Sequence, residues 1–250
     1  MTKKIAIVTG GASGIGLAVT KELMKQDYQV VVADINQEAL EDYSQKYPLY
    51  DGKKVDVTDE KEVIDFVNYV IKEYGQIDAS FHIAGAMKQG IIVDQPYEDW
   101  KFTVDLCLNA VFLFTKYVGQ QMRKQNRGKI VNISSLNAHV PMFFGGAYST
   151  AKAGVEMLTK NTALELADYN VNVNAILPGL VATPMAKSTI ENVEINKRYE
   201  ERIPFRRAAD PAEIAKPAIF LASDAASYIN GTSLVVDGGW EISGYPDLRM

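Results

Sequence analysis

A chain of 250 residues with 47% hydrophobic content can bury a large core, as one big α/β domain or two small ones, and no stretch of linker composition divides it. Aspartate and glutamate outnumber lysine and arginine by 31 to 26, which argues against a partner held through a phosphate backbone, such as DNA. The single cysteine, Cys107, sits in the apolar run FTVDLCLNAVFLF, so an internal disulfide is excluded and a buried small hydrophobe in a reducing compartment is expected. The opening MTKKIAIVTG has too short an apolar run for a signal peptide or spanning helix, and His82 and His139, the only histidines, are too far apart to argue for zinc. A cytoplasmic protein with no metal, no nucleic acid and no membrane partner is the expectation.

Ile5 to Val8 is a continuous apolar run rich in β-branched residues, the pattern of a strand covered on both faces in a parallel sheet. TGGASGIG follows, placing Gly10, Gly14 and Gly16 in a turn, and then LAVTKELMKQ carries Leu17, Val19, Leu23 and Met24 at helical spacing. Strand, glycine turn and helix in that order let backbone N–H groups approach a pyrophosphate, with the orphan donors and positive dipole end of the helix behind them. A glycine turn without those flanks reads as a flexible loop. The second apolar run, Val30 to Ala33, ends at Asp34, eighteen positions past Gly16, where dinucleotide-binding units carry the acid that accepts from the adenosine ribose. Capping of the following helix, INQEALEDYSQKY, is the other reading of Asp34. On the first reading its carboxylate repels a 2′-phosphate, and the turn offers Ser13 with no arginine or lysine, so NAD is expected over NADP.

Lys53 to Val57 reads as a third strand, with Thr58 as the cap of a helix from about 59 to 74 whose apolar positions are Val63, Phe66, Val67, Val70 and Ile71. Gly75 stops that helix, and Ile77 to Ala84 gives a fourth strand running into Gly85. The alternation predicts a parallel sheet with right-handed crossovers and helices on both faces. Ligands then gather at the carboxyl ends of the strands, where Gly10, Asp34, Asp56 and Gly85 fall. Residues 97–122 read as one long helix, too apolar for a single core-facing stripe, which points part of it at a partner subunit. Asn109 interrupts it. A buried amide without partners costs ~2–7 kcal/mol, so this one either meets a water network or bonds backbone inside the core.

Lys129 to Ile133, Val171 to Ile176 and Ser233 to Val236 complete the strands, and DPAEIAKPAIFLASD is a helix capped by Asp210 with Pro211 at its first position. Residues 184–207, polar and bounded by PM and IPF, read as a mobile lid over a substrate. Between the fifth and sixth strands lies the helix that begins YSTAK. Tyr148 and Lys152, four residues apart, share one helix face, so the ammonium can sit beside the phenol and favour its ionised form, as a general acid or base requires. Alone, Y-x-x-x-K equally describes an exposed surface pair.

TGGASGIG, NISS, YSTAK, LPGLVATPM and VDGG, in this order along essentially the whole chain, resemble the short-chain dehydrogenase/reductase family. The resemblance implies one domain over 1–250 on a doubly wound, Rossmann-type sheet of about seven parallel strands. Its dinucleotide-binding half covers 1–95 and its catalytic half 96–250. The implied catalytic set is Asn109, Ser135, Tyr148 and Lys152, with Ser135 chosen over Ser134 because the family serine stands thirteen residues before the tyrosine, and Asn109 given to a water relay. Implied cofactor contacts are Thr9, Gly10, Ser13, Gly14, Ile15 and Gly16 in the turn, Asp34 and Ile35 after the second strand, and Asp56 and Val57 at the adenine. They continue with Ala84 and Gly85 after the fourth strand, Tyr148 and Lys152 themselves, and Pro178, Gly179, Val181 and Thr183 near the nicotinamide. The family's strand-four motif N-N-A-G is not met: His82 and Ile83 precede Ala84 and Gly85, and His82 is expected to be satisfied within the sheet with no catalytic role.

The implied activity is NAD-dependent hydride transfer between nicotinamide and a secondary alcohol or ketone. Candidate substrates are 3-oxoacyl thioesters, cyclic or steroid-like alcohols and sugars, and an apolar wall of Met142, Phe143, Phe144 and Met185 leans toward the first two. A homotetramer with helix faces and the C-terminal segment in contacts is implied as well. The competing reading is a catalytically silent NAD(H)-binding redox sensor on the same fold, which has no need of the four-residue set.

Overall fold

The computed structural model of the chain describes residues 3–244. Strands and helices alternate from the start: β1 (Ile5–Thr9), α1 (Gly14–Lys25), β2 (Gln29–Asp34), α2 (Gln37–Lys46), β3 (Tyr50–Lys54), α3 (Glu60–Tyr74) and β4 (Ala79–His82). A long helix follows as α4 (Tyr97–Val104), a π turn (Asp105–Asn109) and α5 (Ala110–Gln125), then β5 (Gly128–Ile133), α6 (Gly146–Leu166) and β6 (Val171–Pro178). The remaining elements are α7 (Lys187–Glu191), α8 (Val193–Arg202), α9 (Pro211–Leu221) and β7 (Ser233–Val236). Every strand pairing is parallel, in the order β3-β2-β1-β4-β5-β6-β7. The connection reverses direction between β1 and β4, so a crevice opens at their carboxyl ends.

The apolar runs are buried on both sides because alternate residues feed two separate cores. Ala6 and Val8 of β1 and Val30 and Val32 of β2 face α1 and α9, where Val19, Leu23, Ile214 and Ala218 close one layer. Ile7 and Val31 face the opposite way, onto Phe66 and Val67 of α3 and Phe114, Val118 and Met122 of α5. Each such side chain contributes roughly 1.5–3 kcal/mol by leaving water. Among the described residues one helix, Tyr97–Gln125, is long and apolar enough to cross a membrane, and here much of that apolar surface covers the sheet.

Four expectations need correction. The third strand runs over Tyr50–Lys54 and not 53–57, since it is an edge strand registered by β2, with Val30 opposite Tyr50 and Asp34 opposite Lys54. The fourth strand ends at His82, because the Thr9 hydroxyl captures the next two N–H groups, those of Ile83 (2.9 Å) and Ala84 (3.2 Å), and turns the chain out of the ladder. The cap of α3 is Asp59, which accepts from Glu62 N–H at 3.0 Å, and not Thr58. Asn109 is not a buried amide: its side chain is exposed, and its Nδ2 donates to Asp105 Oδ1 at 2.8 Å. Residues 245–250 of the C-terminal segment lie outside the described residues.

His82 lies fully buried at the switch point. Ser80 Oγ is 2.9 Å from its Nε2, and its Nδ1 is 2.8 Å from Asn132 Oδ1 on β5. Asn132 Nδ2 donates to Thr159 Oγ1 at 2.9 Å, and Thr159 donates to Val155 O at 2.8 Å. That chain of donors leaves Asn132 an acceptor toward the ring, so Nδ1 carries the proton and Nε2 accepts from Ser80. The ring therefore ties β4 through β5 to α6, and burial pushes its pKa down to about 4. Between that value and the ordinary ~6.5 the unfolded chain binds a proton the folded one refuses, so stability is lost as the solution is acidified through this window, by at most roughly 3 kcal/mol. Replacing His82 by asparagine should remove this acid-side loss in pH-dependent unfolding and leave turnover nearly unchanged; a collapse of turnover with the fold intact would contradict this structural role.

Candidate active site

The turn after β1 is built by contacts no larger residue allows. Gly10 has φ +66°, and a Cβ there would stand 2.9 Å from the Ala84 backbone. A Cβ on Gly16 would stand 2.0 Å from Gly10 O. Gly14 faces the Thr183 side chain, 3.2 Å from where its Cβ would be, so the segment after β6 closes over the turn. Ser13 is exposed and makes no side-chain cap bond, and the first intrahelical donor of α1 is Leu17 N–H, to Ser13 O at 2.9 Å. The N–H groups of Gly14, Ile15 and Gly16 precede it. No acidic residue occupies the first turn of α1, whereas α3 starts with Glu60 and Glu62. A helix start with free donors and no carboxylate suits an anionic group, and a pyrophosphate fits this cradle.

Asp34 ends β2 with both oxygens engaged by backbone: Oδ2 accepts from Ala12 N–H and Oδ1 from Asn36 N–H, each at 3.0 Å. The capping residue of α2 is Asn36, which accepts from Ala39 N–H, so Asp34 is left to hold the glycine turn and face what lies on it. Ile35 beside it is 67% exposed. Asp56 and Val57 lie past the end of β3, Val57 buried and Asp56 exposed with Oδ1 accepting from Thr58 N–H and Oγ1–H. A groove lined in part by Ile35, Val55 and Asp56 runs from this point along α3. Thr9 is buried behind the turn, its oxygen taken up by the Ile83 and Ala84 N–H groups just past β4. Pro178 is buried at the end of β6, where it is registered with Val236, Gly179 abuts the Asp237 backbone, and Val181 pairs with Ala209 to close the base of the excursion that carries α7 and α8.

Tyr148 is half-buried on the first turn of α6 and Lys152 one turn on is 2% exposed, its Nζ 5.5 Å from the Tyr148 ring centroid. Lys152 Nζ donates to Ile133 O at 2.8 Å, which sets the cation at the carboxyl end of β5. Ser134 Oγ donates to Lys152 O at 2.7 Å and pins α6 to that strand end, so this serine is structurally committed. Ser135 is 6% exposed and makes its side-chain contacts only with Asn137. Gly85 completes the floor: a Cβ there would lie 3.5 Å from Cys107 Sγ and 3.9 Å from Lys152 Nζ. Cys107 sits in the π turn and donates to Ala86 O at 3.1 Å, while Leu108 packs against Gly154 of α6. The π turn thus seats the long helix against the tyrosine helix, and Asn109 closes it from the exposed side.

Around the mouth the apolar side chains are open to solvent. Gly90 N–H donates to Phe144 O at 2.9 Å and joins two loops, which bring Ile92, Val93 (83% exposed) and Phe143 (90% exposed) to one rim, with Met185 and Phe205 exposed on the segment after β6. Sequence reasoning missed how the far side is fastened. His139 Nδ1 is 2.5 Å from Glu241 Oε1 and its Nε2 2.9 Å from Glu156 Oε2, so the loop after Ser135 is tied both to α6 and to the C-terminal segment. That segment in turn sets Trp240 edge to face against Tyr199 of α8 and ties Ser243 Oγ to Arg202 O. The hydrogen bond to Glu241, with that to Glu156, raises the His139 pKa against the opposing effect of burial. This fastening stabilises the fold fully below ~6.5 and is lost as pH rises through the raised value. His139→Gln should therefore narrow its stability gap to the parent chain in alkaline solution, as read by thermal unfolding at several pH values; a gap that widens with pH would contradict it.

A family model described as enoyl-(acyl carrier protein) reductase matches residues 10–241. The chain is 36% identical over 244 residues to the 3-oxoacyl-[acyl-carrier-protein] reductase FabG of Thermotoga maritima, with 94% of this chain and 97% of that one covered. It is 35% identical to the NAD-dependent glycerol dehydrogenase of Listeria innocua, over 97% of this chain and 95% of the relative. Among solved structures, an actinorhodin polyketide ketoreductase variant with NADPH superimposes with a TM-score of 0.91 at 32% identity, covering 97% of this chain and 98% of that chain. Sheet order, glycine turn, tyrosine helix and these likenesses agree: the chain belongs to the short-chain dehydrogenase/reductase family.

Proposed function

We propose that this chain is an NAD-dependent oxidoreductase acting between an apolar secondary alcohol, cyclic or steroid-like, or a 3-oxoacyl group, and the corresponding ketone or alcohol. The observation that carries the reading is the buried Lys152 ammonium, bonded to Ile133 O at the carboxyl end of β5 and set against the Tyr148 ring. Bound nicotinamide supplies or accepts the hydride at its C4. Tyr148 takes the hydroxyl proton during oxidation and returns it during reduction. Ser135 donates toward the substrate oxygen as charge grows there. Lys152 stabilises the negative charge passing through the phenol oxygen, and the two donors left to it beside the one on Ile133 O serve a ribose. Asn109, exposed at the π turn, belongs to the solvent end of a proton relay. The apolar rim around Val93 and Phe143 favours apolar substrates over polyhydroxylated sugars.

The carboxylate of Asp34, with no arginine or lysine in the glycine turn or in the first turn of α2, favours NAD. Steady-state kinetics with both cofactors should give a kcat/KM at least roughly tenfold higher for NAD, since a like charge at the 2′ position acts as a repulsive selector; a clear preference for NADP would overturn the assignment. Exposed Phe102 and Phe112 on the long helix, with Met157 and Leu164 on α6, support a homotetramer as the working form.

A further inference from the structure

Both hydrogen-bonding contacts of the Ser135 hydroxyl are made with one residue. Asn137 N–H donates to Ser135 Oγ at 3.1 Å, and Ser135 Oγ donates to Asn137 Oδ1 at 3.3 Å. The amide is itself fixed, because Asn137 Nδ2 donates to Val140 O at 3.0 Å, so an acceptor and not a donor faces the serine. The peptide is fixed as well: Ser135 is extended (φ −165°, ψ 155°), the 3-10 turn Leu136–Ala138 follows, and Val140 N–H closes on Leu136 O at 2.9 Å. Leu136 is buried beneath it. Asn137 therefore presents two groups, on a short braced loop, to one hydroxyl.

We propose that Asn137 is a positioning residue for the reaction, its main-chain N–H setting the place of the Ser135 oxygen and its side chain the direction of the proton. The inference rests on the reading of Ser135 as the donor to the developing oxyanion. At 3.3 Å the bond to Asn137 Oδ1 is long for an O–H donor and hence weak. An oxyanion is a charged acceptor, and a hydrogen bond to it is about twice as strong as a neutral one. The proton is thus held in order before reaction and surrendered when charge appears, which favours the transition state over the ground state. The main-chain N–H of Asn137 stays on the oxygen throughout and makes the hydroxyl a better donor. Without the side-chain acceptor the main-chain N–H still holds the oxygen while the hydroxyl proton samples three staggered wells, so about one orientation in three is productive.

The test is a double-mutant cycle read by steady-state kinetics on the substrate that turns over fastest with NAD. Asn137→Ala is expected to lower kcat about threefold, by the rotamer count above, with KM within about twofold. In a Ser135→Ala background the same change should cost nothing further, because the group it orients is gone. Asn137→Ser, which keeps a short polar side chain, is the second variant where the alanine chain melts early. An equal loss in both backgrounds, or no loss of kcat in the parent, overturns the proposal for Asn137 alone. Unchanged turnover in Ser135→Ala overturns it together with the reading of Ser135.

Discussion

Tyr148→Phe should bind NADH as tightly as the parent chain and turn over slower by a factor of ~10²–10⁴, the usual cost of losing a general acid/base. The ring stays on the same turn of α6, so its packing against Lys152 survives, and the cation keeps its bond to Ile133 O. Only the oxygen that carries the proton is removed. Nearby groups that could carry a proton are engaged elsewhere: Cys107 is buried and bonded to Ala86 O, Ser134 is bonded to Lys152 O, and both nitrogens of His82 have partners inside the sheet. Fluorescence titration for NADH and initial rates for turnover separate the two effects. Loss of binding and rate together would mean that the tyrosine holds the fold or the cofactor and not the proton.

Gly16→Ala should weaken NADH binding at least tenfold and lower the melting temperature. The added methyl would sit 2.0 Å from Gly10 O, 2.7 Å from Gly10 C and 3.0 Å from Gly11 Cα. All three are backbone, so no side-chain rotation relieves the clash, and α1 must back away from the turn. Val19 and Leu23 then leave a layer they share with Ile214 and Ala218 of α9. Overpacking of this kind costs about 1–3 kcal/mol, and at ~2–4 °C per kcal/mol for a chain of this size the midpoint falls by roughly 2–12 °C. The contrasting change is Gly75→Asn. A Cβ at Gly75 meets nothing within 4 Å, its left-handed φ of +78° suits asparagine, and it lies at the other end of α3, so binding should not move. Equal damage from both changes would mean that the glycine turn is not special.

What the sequence disclosed depended on how local the cause was. β1, the glycine turn and α1 were legible because the apolar run, the glycines and the helical spacing lie within twenty residues of one another and each has a local reason. β3 was misplaced because YDGKK has only Tyr50 buried, and its register comes from β2 rather than from its own pattern. The overlong apolar character of residues 97–122 has its cause in the π turn. The extra residue at Asp105–Asn109 rotates the following face, so no single 3.6-residue stripe describes both halves, and Asn109 lands outside where the pattern put it inside. Spacing put Tyr148 and Lys152 on one helix face and the family resemblance singled out Ser135, yet the supports of all three were not legible. Asn137 meets Ser135 across a turn braced by the buried Leu136, and His139 meets Glu241 from 102 residues away.

The most direct measurement is a label transfer. The protein is incubated with NAD and a cyclic secondary alcohol carrying deuterium on the carbinol carbon, and the mass of the NADH formed is determined. Deuterated NADH, with ketone in equal amount, is the result expected if the Tyr148–Lys152 helix presents an alcohol to bound nicotinamide. Tight NADH binding with no label transferred from any alcohol across the cyclic, steroid-like, 3-hydroxyacyl and sugar classes would contradict it, and would make the chain a sensor of the cofactor and not its catalyst.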